Sequence, residues 1–180
     1  MTLEELWRLF PVILTEYKDC WEEFYAEQAV ELEKLLPKGT KINHIGSTAI
    51  KGIRAKPIVD ILVEVGETVN LSEVGEILQG NGWIKMSEGR RRMSFNKGYT
   101  EEGFAEKVYH LHLRYSGDDD EIYFRDYLIA HPEIAKKYEA LKLELWKEFE
   151  HDRDGYTEAK SGFVRKYTAL AKQRGKNDIQ

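Results

Sequence analysis

The apolar pattern of this chain predicts a mixed α/β (α+β) fold: a mixed sheet with helices packed against it and a run of helices at the C-terminal end. Three observations carry that expectation. Ile58 to Val65 is nearly all apolar and rich in β-branched residues, the mark of a buried strand. Val108 to Tyr115 alternates cleanly, as a strand with two different faces does. Beyond Asp120 the apolar residues recur at helical spacing.

The elements follow in order. Leu3, Leu6, Trp7 and Phe10 make a short helical stripe stopped by Pro11. Asp19 and Glu22 have capping-box spacing, and Trp21, Phe24, Gln28, Leu32 and Leu36 continue as a helix that Pro37 and Gly39 end. Ile42 to Ile45 reads as a short strand running into Gly46-Ser47-Thr48, with a helical turn that Lys56-Pro57 closes before the buried strand. Asn70 to Glu73 again has capping spacing, and a helix runs to Gln79. Trp83 to Met86 and Arg92 to Asn96 read as strands joined through Ser87-Glu88-Gly89. The helices at the end cover about Glu121 to Ala130, Glu133 to Glu150 and Tyr156 to Gln173, with Pro132 separating the first two. No repeat, low-complexity segment or linker interrupts the chain, so residues 1–180 read as one domain with a frayed tail at 175–180.

Composition narrows the function. An apolar fraction of 42% is enough for a core and argues against disorder as the main state. The net charge of −5 gives no general attraction for nucleic acid, though a local basic patch stays compatible with it. Cys20 is the single cysteine, so no internal disulfide forms. Met1 to Leu14 carries Glu4, Glu5 and Arg8 and lacks the pattern of a signal peptide, and no stretch matches a membrane span. A soluble, cytoplasmic protein without a membrane partner is expected. Neither a dinucleotide-binding Gly-x-Gly-x-x-Gly nor a P-loop is present.

The sharpest chemical signal is Gly46-Ser47 at the end of one strand with Asp60 inside the next. Gly46 lets the backbone turn tightly beside a phosphate, and Ser47 with nearby amides offers hydrogen bonds to phosphate oxygens. Asp60 interrupts an apolar strand, where a carboxylate needs a metal or a donor. The same residues fit a structural reading, with Ser47 capping the next turn and Asp60 paired with Lys56 or an arginine. Asp60 and Glu64 share a strand face about 13 Å apart, too far for one ion to bridge, which places Glu64 at the strand end in solvent or an ion pair. His110, His112 and Arg114 share one face of a later strand, while Tyr109, Leu111 and Leu113 take the other. Two histidines in that pattern suit a polar pocket wall, with one touching a metal or phosphate. Arg90, Arg91 and Arg92 form a basic run with guanidinium groups suited to phosphate, or a solvated hairpin. Asp118-Asp119-Asp120 reads as a turn leading into a helix. Lys160 and Arg165 on the last helix face either a pocket or solvent.

The run His44-Ile45-Gly46-Ser47-Thr48-Ala49-Ile50-Lys51-Gly52-Ile53-Arg54-Ala55-Lys56-Pro57-Ile58-Val59-Asp60-Ile61-Leu62-Val63 resembles the signature of the GrpB family. Tyr17 with Trp21 and Phe24, His110-Leu111-His112-Leu113, Phe124-Arg125-Asp126-Tyr127-Leu128, His131-Pro132, Tyr156 and Lys160 agree with it, so the resemblance spans about Tyr17 to Ala171. That family is similar to the nucleotidyltransferase superfamily that includes DNA polymerase β, which implies a nucleotidyltransferase-like mixed sheet flanked by helices. The superfamily shows Gly-Ser, a spacer, then an acidic-x-acidic pair. Gly46-Ser47 and Asp60 match with twelve residues between Ser47 and Asp60, but the second acidic position falls on Leu62. The resemblance implies transfer of a nucleotidyl group from a nucleoside triphosphate to a small-molecule or protein acceptor. It implies Asp60 and His112 as catalytic groups, Asp60 as a Mg²⁺ ligand, and Gly46, Ser47, Lys56, Arg91 and His110 as phosphate or nucleotide contacts. Leu62 is what the main rival predicts, a non-catalytic nucleotide- or phosphometabolite-binding module; a third possibility is an interaction protein whose C-terminal helices form a dimer surface. The stripe Ile134, Tyr138, Leu141, Leu145 and Phe149 is enough for packing within the chain and demands no partner.

Overall fold

A computed structural model describes residues 2–177 of the chain. In order they form α1 (Leu3–Leu9), α2 (Cys20–Leu35), β1 (Lys41–Ile45), a 3₁₀ turn (Ser47–Ala49), β2 (Val59–Val65), α3 (Leu71–Gly80), β3 (Ile84–Glu88), β4 (Arg92–Thr100), β5 (Gly103–Tyr115), α4 (Asp120–Ala130), α5 (Pro132–Phe149) and α6 (Arg153–Asn177). Residues 18–49 and 58–119 group into one compact unit, and residues 2–17, 50–57 and 120–177 into another.

The first unit is built on a five-stranded mixed sheet in the order β1-β2-β5-β4-β3. β2 and β5 run parallel, and every other neighbouring pair is antiparallel. β2 lies second from an edge, and all its residues are buried except Asp60. Cross-strand partners share a face, so the register sorts the side chains. Val63, Leu113 and Met93 form one apolar row, and Ile61, Leu111 and Phe95 the next. The two helices of this unit sit against that apolar side. Gly75 of α3 leaves room for Met93 and Phe95, and the Tyr109 hydroxyl donates to the Phe24 carbonyl of α2 at 3.3 Å. The opposite side carries Asp60, His110 and Asn96 in one row and Leu62, His112 and Ser94 in the next.

Three local expectations change. Asp19 has helical backbone and makes no capping hydrogen bond, whereas Asn70 caps α3 as expected, its Oδ1 accepting from the amides of Ser72 and Glu73. Glu64 is 3% exposed rather than solvated, and its Oε1 accepts from the Gly117 amide at 3.3 Å. β4 and β5 extend into a hairpin beyond Asn96 and before Val108, where the side chains are mostly polar and show no apolar alternation. Gly98 (φ +93°) marks an irregularity in that hairpin. A Cβ there would lie 2.2 Å from the Lys107 carbonyl oxygen, so only glycine lets the two strands approach.

The second unit is helical. Phe124 and Leu128 of α4, Ala135 and Tyr138 of α5 and Tyr167 of α6 bury themselves with Ile50 and Ile53. Val12, Leu145 and Tyr156 form a smaller cluster. Thr15 and Ala55 exchange both backbone hydrogen bonds, at 2.9 and 3.1 Å, which pins residues 50–57 inside this unit. Of the tail expected to fray, residues 175–177 continue α6 and residues 178–180 lie outside the described chain.

Candidate nucleotide site

β1 ends at Ile45, directly opposite Asp60. The chain then turns at Gly46, whose φ of +75° lies in the left-handed region. The turn is pressed onto the carboxylate: a Cβ at position 46 would stand 2.5 Å from Asp60 Oδ2 and 3.2 Å from its Cβ and Cγ. Two independent reasons therefore require glycine here, and the result is a Gly-Ser turn seated on an acid.

The turn is held from beneath. The Ala49 amide donates to the Gly46 carbonyl at 3.1 Å. Thr48, 1% exposed, donates its hydroxyl proton to the Ile58 carbonyl at 3.1 Å. That leaves the Thr48 oxygen to accept from His44 Nε2, 2.9 Å away, so His44 carries its proton on Nε2. His44 stacks on Tyr25 at 4.9 Å between ring centroids. Ser47 itself is half-buried, and its hydroxyl makes no hydrogen bond to another described residue. It is therefore a polar group of this turn that no other described residue engages.

On the sheet, Asp60 Oδ1 lies 3.4 Å from His112 Nε2 and 3.7 Å from His110 Nδ1. All three side chains are between 20% and 31% exposed, enough to be reached from solvent. His110 Nε2 is 2.6 Å from the Tyr99 hydroxyl, and the two rings stack at 5.7 Å. Asp60, His110 and Tyr99 thus form a polar chain across β2, β5 and β4. Tyr99 is the residue that sequence reading misses. Strict alternation places it on the side of Lys97 and Tyr109, and the irregularity at Gly98 turns it to the side of His110 instead.

Gly46, Asp60, His110 and His112 are brought together, with Ser47 next in the chain, while Arg91 of the same unit is engaged elsewhere. Arg91 donates to Glu67 Oε1 at 2.5 Å and lies over the Tyr115 ring. Its neighbour Arg92 pairs in register with Arg114 and Glu64, four residues from Asp60 along β2 and about 13 Å away. Arg92 also grips Asp118 with two 2.6 Å hydrogen bonds, which hold that carboxyl below the ordinary carboxylate range. Lys56 belongs to the helical unit, its ammonium 5.2 Å from the centre of the Tyr156 ring.

Among the described residues no group of three or more His, Cys, Asp or Glu side chains is arranged to hold a metal ion. Leu62, at the second acidic position of the superfamily pattern, is fully buried. Mg²⁺ takes oxygen ligands and commonly binds through one or two carboxylates together with substrate phosphates. Asp60 fits that mode as a single anchor with a bound polyphosphate, and not as part of a protein cage.

A Gly-Ser turn seated on a strand aspartate in this sheet order defines a nucleotidyltransferase-like fold. The Cid1 poly(U) polymerase, in a structure with Mg 3′-dATP bound, superposes with a TM-score of 0.51 at 12% identity, over 87% of this chain and 51% of that one. The chain belongs to the GrpB family, matching the GrpB protein family over residues 11–170. The crystal structure of the conserved protein GrpB from Enterococcus faecalis superposes with a TM-score of 0.77 at 29% identity, over 90% of this chain and 98% of that one. The UPF0157 protein YqkA of Bacillus subtilis is 31% identical over 98% of this chain, which spans only 53% of YqkA's length.

Proposed function

We propose that this protein binds the phosphates of a nucleoside triphosphate at the Gly46-Ser47 turn and transfers the nucleotidyl group to a hydroxyl acceptor. The observation that carries this reading is the contact of Gly46 with Asp60. A turn that presses its Gly46 backbone onto a carboxylate, with Ser47 next in the chain, suits a phosphate neutralised by a cation shared with that carboxylate. Asp60 would hold Mg²⁺ together with the phosphates, and the ion would stabilise charge on the transferring phosphoryl group. Ser47 would hold phosphate oxygens. The acceptor oxygen would form a bond to the α-phosphorus as the bond to pyrophosphate breaks, and His112 would take the acceptor's proton. His110, fixed by Tyr99, would donate to a phosphate oxygen. The absence of a general positive charge favours a small-molecule or protein acceptor over nucleic acid.

A second reading has its own observation. Leu62 fills the second acidic position with a fully buried apolar side chain. That suits a module that binds a nucleotide or phosphometabolite without turning it over. A binding screen of nucleoside triphosphates with and without Mg²⁺, followed by a pyrophosphate-release assay, separates the two. Metal-dependent binding with release supports transfer. Metal-independent binding without release supports the module. No triphosphate binding in either buffer refutes transfer and leaves the module only a phosphometabolite as its ligand.

A further inference from the structure

The side of the sheet away from Asp60 holds an open cavity that the nucleotide reading does not use. It has a volume of about 230 Å³ and lies among the second half of α2, the turn from α3 into β3, and β4. Lys97 of β4 lines it. Lys97 is in register with Tyr109, and Tyr109 with Val59, which places it on the face opposite the row of Asp60, His110 and Asn96. Every residue that lines the cavity belongs to the sheet unit. Drug-sized ligands occupy roughly 300–1,000 Å³, so this space suits a smaller metabolite.

The wall of the cavity is chemically divided. Leu32 and Trp83, both buried, give it an apolar part. Lys97 holds its ammonium 5.3 Å from the centre of the Trp83 ring and 3.7 Å from Glu31 Oε2. The first is a cation–π distance, and the second is an ion pair too long for a hydrogen bond. Two opposite charges therefore line one cavity without a hydrogen bond to each other. Lys34, exposed, adds a second positive charge.

Gln28 supplies a separate observation. It lines the cavity, is 9% exposed, and its Oε1 is buried without a hydrogen-bond partner among the described residues. An acceptor in that position has lost its water without gaining a partner, and it calls for a donor. The terminal torsion of a glutamine amide is soft, so a turn of the amide brings Oε1 to a donor in the cavity. Asn81 adds a second acceptor: its Nδ2 donates to the Ile77 carbonyl at 2.8 Å, and its Oδ1 remains.

We propose that this cavity binds a small zwitterion with an apolar side chain, of the α-amino acid class. The ligand's carboxylate takes the Lys97 ammonium, with Lys34 nearby. Its ammonium group donates to Glu31, Gln28 and Asn81, and its side chain packs on Leu32 and Trp83. A phosphate dianion is disfavoured, because the Glu31 carboxylate stands 3.7 Å from the ammonium that would hold it. The site stands whether or not the turn at Gly46 binds nucleotide.

The test is NMR titration of the full chain, read at the Trp83 indole N–H, which Trp83→Phe assigns. The probes are leucine, isocaproate and isoamylamine, at neutral pH and fixed ionic strength. The two analogues keep leucine's side chain and carry one of its two charges each. Saturable leucine binding is expected, with each analogue at least ~10-fold weaker for want of one charge-assisted contact. Lys97→Met should weaken leucine at least ~10-fold and leave isoamylamine no weaker, and Glu31→Gln should weaken leucine and leave isocaproate no weaker. Gln28→Leu removes an unsatisfied acceptor, so the melting temperature should hold or rise while leucine affinity falls several-fold. Absence of saturable leucine binding overturns the inference. An analogue that binds as tightly as leucine overturns it too, since the cavity then takes a lone anion or a lone cation. Parent-like leucine affinity in Lys97→Met and Glu31→Gln does the same.

Discussion

Replacing Gly46 with alanine tests the contact on which the functional reading stands. Two penalties are expected, and the structure provides a control for one of them. Gly39 has φ +84° with nothing within 4 Å of its would-be Cβ, so Gly39→Ala isolates the cost of a left-handed alanine, about 1–2 kcal/mol. Gly46 has a similar φ of +75°, but its Cβ would also meet Asp60 Oδ2 at 2.5 Å. Asp60 Cβ and Cγ stand at 3.2 Å, so rotating the carboxylate alone does not clear the space. Overpacking of this kind adds about 1–3 kcal/mol. At about 2–4 °C per kcal/mol for a chain of this size, Gly46→Ala should melt several degrees below Gly39→Ala. In an Asp60→Ala background most of that extra loss should vanish, because the oxygen that Cβ strikes is gone. Titration with Mg·ATP should show at least ~10-fold weaker binding for Gly46→Ala and parent-like binding for Gly39→Ala, a difference of ~1.4 kcal/mol or more. Equal melting of the two single variants, or parent-like Mg·ATP affinity in Gly46→Ala, would refute the reasoning.

Other expectations follow from the same geometry. Ser47→Ala should leave the melting temperature unchanged, because its hydroxyl bonds to no other described residue, and weaken triphosphate binding by ~1.5–3 kcal/mol in isothermal titration; equal affinities would remove Ser47 from the site. Asp60→Asn should abolish Mg²⁺-dependent binding and turnover while the melt in metal-free buffer moves little, whereas a large drop there would make Asp60 a structural partner of its neighbours. Lys142 links stability to pH. Its amine releases its proton at about 7 in the folded protein against an ordinary value of 10.5, so between those values the unfolded chain holds more protons and stability rises with pH. Below about 7 both states are charged and the burial penalty is fully present, on the order of 5 kcal/mol at ~1.36 kcal/mol per pH unit. Lys142→Met should flatten the rise in melting temperature between pH 6 and 9, and parallel curves for parent and variant would refute the assignment.

Much of the sheet site was legible because two simple rules governed it. Strand alternation puts His110 and His112 on one face, and the parallel register of β2 and β5 makes that the face of Asp60. Gly46-Ser47 was legible because a tight turn after a strand needs a residue free to take positive φ. What escaped depended on contacts between distant segments. Tyr99 reaches His110 through an irregularity that alternation does not foresee. Glu64 is buried because an amide 53 residues away satisfies it, and nothing near it in the chain announces that. His44 and Thr48 looked like ordinary strand and turn residues until their mutual hydrogen bond and the Ile58 carbonyl showed them propping the turn. Charge alone suggested Arg91, but Glu67 already engages it at the far end of the strands.

The parallel pairing of β2 with β5 also has a kinetic consequence. Asp60 and His112 are 52 residues apart, and bringing such a loop's ends together costs on the order of 3–4 kcal/mol in chain entropy. The β4–β5 hairpin is local by comparison and closes early. The carboxylate and the imidazoles therefore meet only after the hairpin docks on β2, late on the route to the native state. A nucleotide that recognises their finished arrangement finds no target in the transition state. It should lengthen the lifetime of the folded chain without hastening its formation, so that in stopped-flow measurements saturating ligand slows the unfolding limb and leaves the refolding limb where it was.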